Sequence, residues 1–401
     1  MTKPAYKMTE IGEIPVEWET FKLGSVRVSL YVKSGSTPSK KYKDYWNGGI
    51  PFVKQSDMTN VDHYLLETSE KITELAVKGS NLTLIPKNSI LISMYGTIGK
   101  VVINEIPITV SQNIAAIVLN NKNVNEEYIY YAIKQYSSQF KVQAKTITLS
   151  HLDNKIVKNA IIPIPSLAEQ RRIAEILSTT DETIQKVNEE ITLNEKLKKG
   201  LMQTLLTKGI GHTKFKITGI GEIPEDWGVK TIQEVAIVKY GRSNPKTKGN
   251  IPLIGSSGVF GTVDEALIQT PTIVIGRKGT AGAVWDIRTP SWPSDTSFYL
   301  EYKNEISQKF LFEFMSLNKL TGKNAMTTLP SIKREEIEEF LFPLPPIIEQ
   351  KRISDILTEV DHKLELLRIK KTYLERIKKG LMSDLLTGKV RVNINTSQGK
   401  D

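Results

Sequence analysis

PIPSLAEQRRIAEILSTTDETIQKVNEEITLNEKLKKGLMQTLLTKG, residues 163–209, is repeated as PLPPIIEQKRISDILTEVDHKLELLRIKKTYLERIKKGLMSDLLTGK, residues 343–389. Pro163 and Pro343, Glu169 and Glu349, and Gly200 and Gly380 each stand 180 residues apart, so the copies align without a gap. An element of fixed length has been duplicated whole. In the second copy Ile353, Val360, Leu367, Leu374 and Leu381 recur every seventh residue. Ile356 or Leu357, Leu364 and Leu385 fill most positions between them, the heptad pattern of a coiled-coil seam. The matching positions of the first copy are Ile173, Thr180, Val187, Asn194 and Leu201, two of them polar. A seam Asn fixes pairing register at a cost in stability. Lys198 and Lys199 before Gly200, and Lys378 and Lys379 before Gly380, read as solvated faces that put positive charge near a weak point or the last turns of each helix.

Each copy spans about 42 residues, on the order of 60 Å of helix at about 1.5 Å per residue. That is too long for the inside of an ordinary core. Two such helices, each apolar along one stripe, bury their seams against each other. The expected product is a long antiparallel pair acting as a spacer.

A chain of 401 residues accommodates two or three domains, and 39% hydrophobic with 24% charged residues describes folded domains. No apolar run reaches the roughly 18 residues that cross a bilayer, and the N-terminal residues 1–14 show no signal-peptide core. A cytoplasmic protein is expected. The absence of cysteine excludes disulfides and thiolate metal sites. His63, His151, His212 and His362 lie far apart, so no histidine-rich zinc site, and no metal, is expected. A net charge of +10 and a pI of about 9.3 favour a polyanionic partner.

A second repeat precedes the helices. IGEIPVEW, residues 11–18, returns as IGEIPEDW, residues 220–227, a shift of 209 that makes the first intervening segment 29 residues the longer. Each half therefore reads as a short leading motif, a variable domain and a fixed helix. In the first domain residues 33–58 are turn-rich and lead into a strand at 50–54. Residues 89–103 read as two strands joined through Gly96 and Gly99, residues 111–120 as a further strand, and residues 125–140 as an amphipathic helix capped by Asn125. The second domain answers each part: residues 249–258, 273–285, 294–302 and 307–318, with residues 327–345 closing the domain. Scaffold positions agree and loop positions differ, as in two copies of one fold with different ligands.

The paired GEIPxxW motifs, the IP strands at Ile50-Pro51 and Ile251-Pro252, and the GTxG turns at residues 96–99 and 279–282 occur in the same order twice. With EQRRIAEIL and EQKRISDIL continuing into KKGLMxxLL, the chain resembles the specificity subunit of Type I restriction-modification systems over essentially its whole length. The resemblance implies an α+β fold: two mixed α/β target recognition domains (residues 1–162 and 210–342) joined by two long antiparallel coiled-coil helices (163–209 and 343–390) in a pseudo-two-fold internal repeat, with a tail at 391–401. It implies that each domain reads one half of a split, asymmetric double-stranded DNA target while the helices set the gap. It implies partners: modification (methyltransferase) subunits, two of them, docked along the helices, and restriction subunits with translocase and nuclease activity. S-adenosylmethionine, ATP and Mg are then expected in those partner subunits and no cofactor in this chain.

The residues agree with a chain that does no chemistry. There is no GxxxxGK[ST] phosphate loop, Asn244-Pro245-Lys246 is the nearest approach to the adenine methyltransferase motif, and Gly276, Gly279 and Gly282 do not form GxGxxG. Asp295, Glu301 and Lys303 faintly resemble the carboxylates and lysine of a metal-dependent nuclease, the competing enzymatic reading. They read better as polar residues alternating along a strand. A third reading is a coiled-coil adaptor that touches no nucleic acid.

For recognition, Lys and Arg supply phosphate contacts, Arg or Lys suits guanine, and Asn or Gln suits adenine. Loop position and residue type select Lys33, Ser36, Thr37, Lys54, Gln55, Ser56, Tyr95, Thr97, Lys100, Gln112 and Asn113 in the first domain. In the second they select Tyr240, Arg242, Ser243, Lys246, Ser256, Ser257, Arg277, Lys278, Thr280, Asp295 and Thr296. Tyr128, Tyr130 and Tyr131 fall at helical spacing and are expected to pack, not to stack on bases.

Overall fold

The computed structural model describes residues 5–59, 61–137, 140, 152–245, 247–318, 320 and 331–394. By its contacts the chain forms two units, residues 1–186 with 371–401, and residues 187–370. Each unit holds one variable domain, part of the first long helix and part of the second.

In the first unit the strands are β1 (Tyr6–Thr9), β2 (Gly12–Pro15), β3 (Glu19–Lys22), β4 (Ser29–Ser34), β5 (Trp46–Val53) and β6 (Tyr64–Leu65). They continue as β7 (Glu70–Ile72), β8 (Ser89–Ser93), β9 (Val101–Asn104), β10 (Thr109–Val110), β11 (Ile114–Leu119) and β12 (Ile161–Ile164). The helices are α1 (Gln55–Thr59), α2 (Glu74–Gly79), α3 (Glu126–Gln135), α4 (Asn154–Asn159) and α5 (Leu167–Lys208), the last continuing into the second unit. A five-stranded sheet runs β4-β11-β8-β9-β6 and a three-stranded sheet β10-β5-β7. The central strands are apolar without alternation because both faces are covered. Ala115, Ile117 and Leu119 of β11 join the core formed with α3, while Ile114, Ala116 and Val118 face a second core with Val53, Met58 and Val110. Tyr128, Tyr130 and Tyr131 of α3 are fully buried, as their spacing predicts. Strand β5 begins at Trp46, earlier than the sequence pattern suggests, because a register shift between Trp46 and Ile50 lets the strand bend while still pairing with β7.

The second unit repeats the plan with β13 (Phe215–Thr218), β14 (Gly221–Pro224), β15 (Gly228–Thr231), β16 (Ala236–Tyr240), β17 (Ile251–Gly255) and β18 (Gly258–Val263). Then follow β19 (Thr272–Gly276), β20 (Val284–Ile287), β21 (Trp292–Pro293), β22 (Ser297–Tyr302) and β23 (Leu341–Leu344). Its helices are α6 (Ile232–Val235), α7 (Gln308–Leu317), α8 (Arg334–Glu338) and α9 (Ile347–Leu386), which continues into the first unit. The sheets are β16-β22-β19-β20 and β18-β17-β21.

The internal repeats now have physical causes. IGEIP forms a hairpin in each unit, β1-β2 and β13-β14, with the glycine of each turn at φ +104°, a conformation only glycine adopts without strain. The Trp that follows is buried, and its indole N–H donates to a carboxylate at the start of a long helix: Trp18 to Glu169 at 3.0 Å, Trp227 to Glu349 at 2.9 Å. The neighbouring glutamine ties the helix to the domain. Gln170 accepts from the Asn125 amide and donates to the Pro165 carbonyl, while Gln350 accepts from Ser307 and donates to Pro345. Asn125 and Ser307 are the residues that cap α3 and α7. The EQ pair of each copy thus holds hairpin, domain helix and spacer helix in one network.

The helices pair antiparallel in each unit. In the first, Arg391 reaches Glu169 and Lys378 reaches Asp181. In the second, Arg368 meets Glu195 and Lys198 meets Asp361 at 2.7 Å. Of the seam positions read from the heptads, Ile173, Val187, Asn194, Ile353 and Leu367 are buried, and Thr180, Leu201, Val360, Leu374 and Leu381 are half-buried. Leu357, not Ile356, takes the alternate position, since Leu357 is buried and Ile356 exposed. Asn194 donates to the Glu190 carbonyl of its own helix, satisfying its amide inside the seam.

Lys198 and Lys378 depart from the solvated-face expectation. They occupy the seam's alternate row, half-buried, each facing the equivalent aspartate of the other copy, while Lys199 and Lys379 stay exposed. The domain helices answer these pairs differently. Tyr131 of α3 donates to Asp181 at 2.8 Å, and burial first, then the Asp181 charge, raises its hydroxyl far above the ordinary phenol range, so it stays a donor. On α7 the buried Glu313 and half-buried Lys309 close a four-membered charge network with Lys198 and Asp361.

Candidate nucleic-acid interface

In the first unit the loops that leave β4, β5, β8 and β10 meet at one end of the sheets. A Cβ on Gly35 would overlap the Val110 carbonyl, so the β4 loop lies directly on β10. The Ser111 amide donates to Val53 at 3.0 Å and the Met94 amide to Asn113 at 2.8 Å. Gly96 sits at φ +62°, and a Cβ there would strike the Gln55 amide, so Gln55 lies across the GTxG turn. The structure therefore brings Gln55 and Ser56, at the start of α1, beside Tyr95, Thr97, Gln112 and Asn113 on neighbouring loops. Ser36, which donates to Ser80, and Thr37 continue from the β4 end of the same group. Tyr95 and Gln112 are exposed.

Three lysines chosen from the sequence have partners inside the fold. Lys33 donates to Thr83 at 2.7 Å, Lys54 pairs with Glu70 at 2.8 Å, and Lys100 lies 3.6 Å from Asp62. Their residue type is local information, whereas Thr83, Glu70 and Asp62 reach them only through the fold.

The second unit repeats the convergence with other chemistry. Ser294 donates its amide to Ile254, Ser256 donates its amide to the Thr296 hydroxyl, and Ser257 and Thr280 share a hydroxyl contact at 2.9 Å. Arg242 donates its amide to Pro293 and Arg277 its amide to Thr296, while Lys278 bridges to Ser331. Gly279 and Gly282 of the GTxG turn have φ +79° and +78°, matching the backbone demand of the first copy. Tyr240, Arg242, Ser256, Ser257, Arg277, Lys278, Thr280 and Thr296 thus lie on adjoining loops, with Asp295 and Ser243 exposed beside them. Lys246 lies outside the described residues.

Arg277 has the most developed geometry of this set. Its guanidinium stands 5.5 Å above the Tyr240 ring and 6.0 Å from Phe298, whose ring centroid lies 4.8 Å from that of Tyr240. Cation–π contact holds the plane without consuming N–H donors. Its Nε is buried without a hydrogen-bond partner among the described residues, and no carboxylate pairs with it there. A planar fork fixed in this way is suited to two parallel hydrogen bonds on a planar acceptor pair.

The nuclease constellation does not assemble. Asp295 is exposed in the loop before β22, whereas Glu301 near the strand's other end pairs with Lys239 at 3.3 Å, and Lys303 donates to the Gln233 carbonyl. His212, Asp226 and Glu349 do come together. The two ring nitrogens of His212 face different acids, Nδ1 toward Asp226 at 3.4 Å and Nε2 toward Glu349 at 2.8 Å. Glu349 also accepts from Trp227 and from the Ile210 amide, so this group is a bridge that closes the hairpin onto α9. Arg391 plays the corresponding part on Glu169 in the first unit.

Comparison with known proteins agrees with this architecture. Residues 15–197 and 224–376 match the Type I restriction modification DNA specificity domain. The MjaVIII Type I restriction enzyme specificity subunit of Methanocaldococcus jannaschii is 30% identical over 95% of this chain and 95% of its own. A putative MjaX specificity subunit from the same organism is 29% identical over 96% of this chain and 97% of its own. The crystal structure of a Type I restriction-modification S subunit from M. genitalium superposes with a TM-score of 0.62 at 18% identity, covering 96% of this chain and 99% of the other, a likeness of fold. Among the described residues no helix is long and apolar enough to cross a membrane.

Proposed function

The chain belongs to the Type I restriction-modification DNA specificity family, a noncatalytic DNA-recognition subunit, and from that premise we propose that its two domains read different halves of one split duplex target. Residues 1–162 and 210–342 are the readers, the paired helices fix the gap, and the protein works in the cytoplasm. The observation that carries the reading is the duplicated convergence of loops, most developed at Arg277, whose stacked fork suits the O6 and N7 edge of guanine. Gln55 and Gln112 offer the amide chemistry suited to adenine in the other reader. Differences between the two loop sets are what an asymmetric target requires.

Two modification subunits dock on the helices, one on each copy of the repeat. Leu193, Leu197 and Gly200 on α5, and Tyr373, Ile377 and Gly380 on α9, occupy the same repeat positions at i, i+4 and i+7. Leu193, Leu197, Tyr373 and Ile377 are each more than half exposed. An apolar face left open twice supports two equivalent partners. S-adenosylmethionine, ATP and Mg act in the modification and restriction subunits.

The test is methylome sequencing of cells expressing the chain with its modification subunit. Arg277→Ala should relax one base in one half-site and leave the other half unchanged. Four residues, about one turn, inserted into α5 and α9 should alter the gap between halves by about a base pair. An unchanged motif in the first variant and an unchanged gap in the second would defeat the reading.

A further inference from the structure

The reader of residues 1–162 carries a second basic surface, built from the far part of the β4 loop and from β7. Its extra residues fold into a small layer with a separate apolar core of Phe52, Ile72, Ala76 and Leu82, against which Tyr45, Trp46 and Ile50 pack. The Thr73 amide donates to the Tyr45 carbonyl at 3.0 Å, and its hydroxyl donates to the Asp44 carbonyl at 2.8 Å. The turn at residues 43–45 is therefore pinned. On its outer side Lys40, Lys43 and Lys71 surround a concavity of about 600 Å³ whose floor includes Trp46, Asn47 and Ser69.

All three lysines are exposed, and none has an ion-pair partner among the described residues. Lys40 lies 6.0 Å from the Trp46 ring. Glu70, which borders the same hollow, is engaged by Lys54 at 2.8 Å. Asp44 stands exposed beside Lys43. With Glu70 taken up by Lys54, three exposed cations around one concavity set up a positive field that favours an anion with several spaced charges.

Among the described residues the corresponding strands of the second unit carry no counterpart of Lys71, although the loop before β17 holds Arg242 and Lys248. β17 is flanked by β18 and β21 as β5 is by β7 and β10, with Pro252 opposite Thr262 where Pro51 faces Lys71. Residues 251–263 contain no charged side chain.

We propose that Lys40, Lys43 and Lys71 hold the phosphodiester backbone of duplex DNA beyond the half-site read by the first domain, giving that domain the longer footprint. The proposal rests on the recognition reading above. It explains why the added layer has its own core: lysines that position a stiff polyanion must be fixed relative to the reading loops. Such contacts add affinity without sequence information. Because Lys71 has no counterpart on the second unit's strands, the full set of three serves only the half-site read by the first domain.

The test uses the full chain assembled with its modification subunits, and a duplex carrying the sequence methylated in cells, bound over a range of salt. Replacing Lys40, Lys43 and Lys71 together by Ala removes up to three phosphate contacts, which lowers the slope of log affinity against log salt by about 2 to 3. Between about 50 and 200 mM salt the unaltered complex should lose about 40-fold more affinity than the variant. The methylated sequence should not change, the Lys→Arg triple variant should keep the slope, and trimming the duplex outside one half-site, but not the other, should erase the difference. An unchanged slope, or a loss that persists on both trimmed duplexes, overturns the proposal. The recognition reading falls separately, if Arg277→Ala leaves the methylated sequence intact.

Discussion

Gly200 and Gly380 stand inside long exposed helices at equivalent repeat positions, and an added Cβ at either meets no atom within 4 Å. Neither has a left-handed backbone that would require glycine. Glycine inside a helix is about 1 kcal/mol less favourable than alanine. Gly200→Ala and Gly380→Ala should each stabilise the chain by about 1 kcal/mol, and the double variant by about 2, because the sites lie in different units and share no neighbours. For units of this size that is a rise in Tm of about 2–4 °C per substitution, read by circular dichroism at 222 nm. A fall in Tm for either single variant would refute the reasoning, since it would mean that the helix does not run regularly through the glycine. The same variants test why a destabilising residue was kept twice. Each glycine continues the exposed stripe of Leu193 and Leu197, or of Tyr373 and Ile377, and a missing side chain lets a partner's backbone approach closely. Assembly with the modification subunit, measured by analytical ultracentrifugation, should therefore weaken while stability rises. Unimpaired assembly would remove these glycines from the docking face.

Two further outcomes follow from buried charge. Glu169→Ala leaves the Trp18 indole and the Arg391 guanidinium without their shared acceptor, and should lower stability by about 3 kcal/mol in urea unfolding; a loss below about 1 kcal/mol would show that the pin is dispensable. Burial by itself would raise the Asp361 pKa, but hydrogen bonds from Lys198 and Lys309 outweigh it and hold the carboxyl below the ordinary aspartate value of 3.8. The unfolded chain then binds the proton first, so this contribution is full above that value and is lost as pH falls through the lower folded value. Lys309 has the opposite sign. Burial lowers its pKa, the bonds to Asp361 and Glu313 raise it further, and the net value lies above the ordinary 10.5. Its contribution is full below 10.5 and is lost as pH rises through the folded value. Asp361→Asn should flatten the acid side of the stability profile, and an unaltered slope toward about pH 3 would show the network to be silent.

The legible parts of this protein are those set by short-range rules. The heptads gave the seam, with Asn194 inside it, because a helix returns the same face about every seven residues. Gly96, Gly99, Gly279 and Gly282 marked turns because their left-handed backbone angles favour glycine. Lysines were legible only as a class. Lys33, Lys54 and Lys100 were chosen as DNA contacts yet have partners in the fold, and Lys198 and Lys378 read as solvated yet sit in the seam. Nothing local distinguishes these from Lys40, Lys43 and Lys71.

Repetition within the chain determined the architecture: an element copied at constant length, with its own periodicity, can be recognised without knowing what it touches. Folding decided which charges are spent and which remain available. Trp18 finds Glu169 and Arg391 across 151 and 373 residues of sequence, and Arg277 acquires a platform from Tyr240 and Phe298 on two other strands. Electrostatic partners are chosen by distance in space, and that distance exists only once the chain has closed.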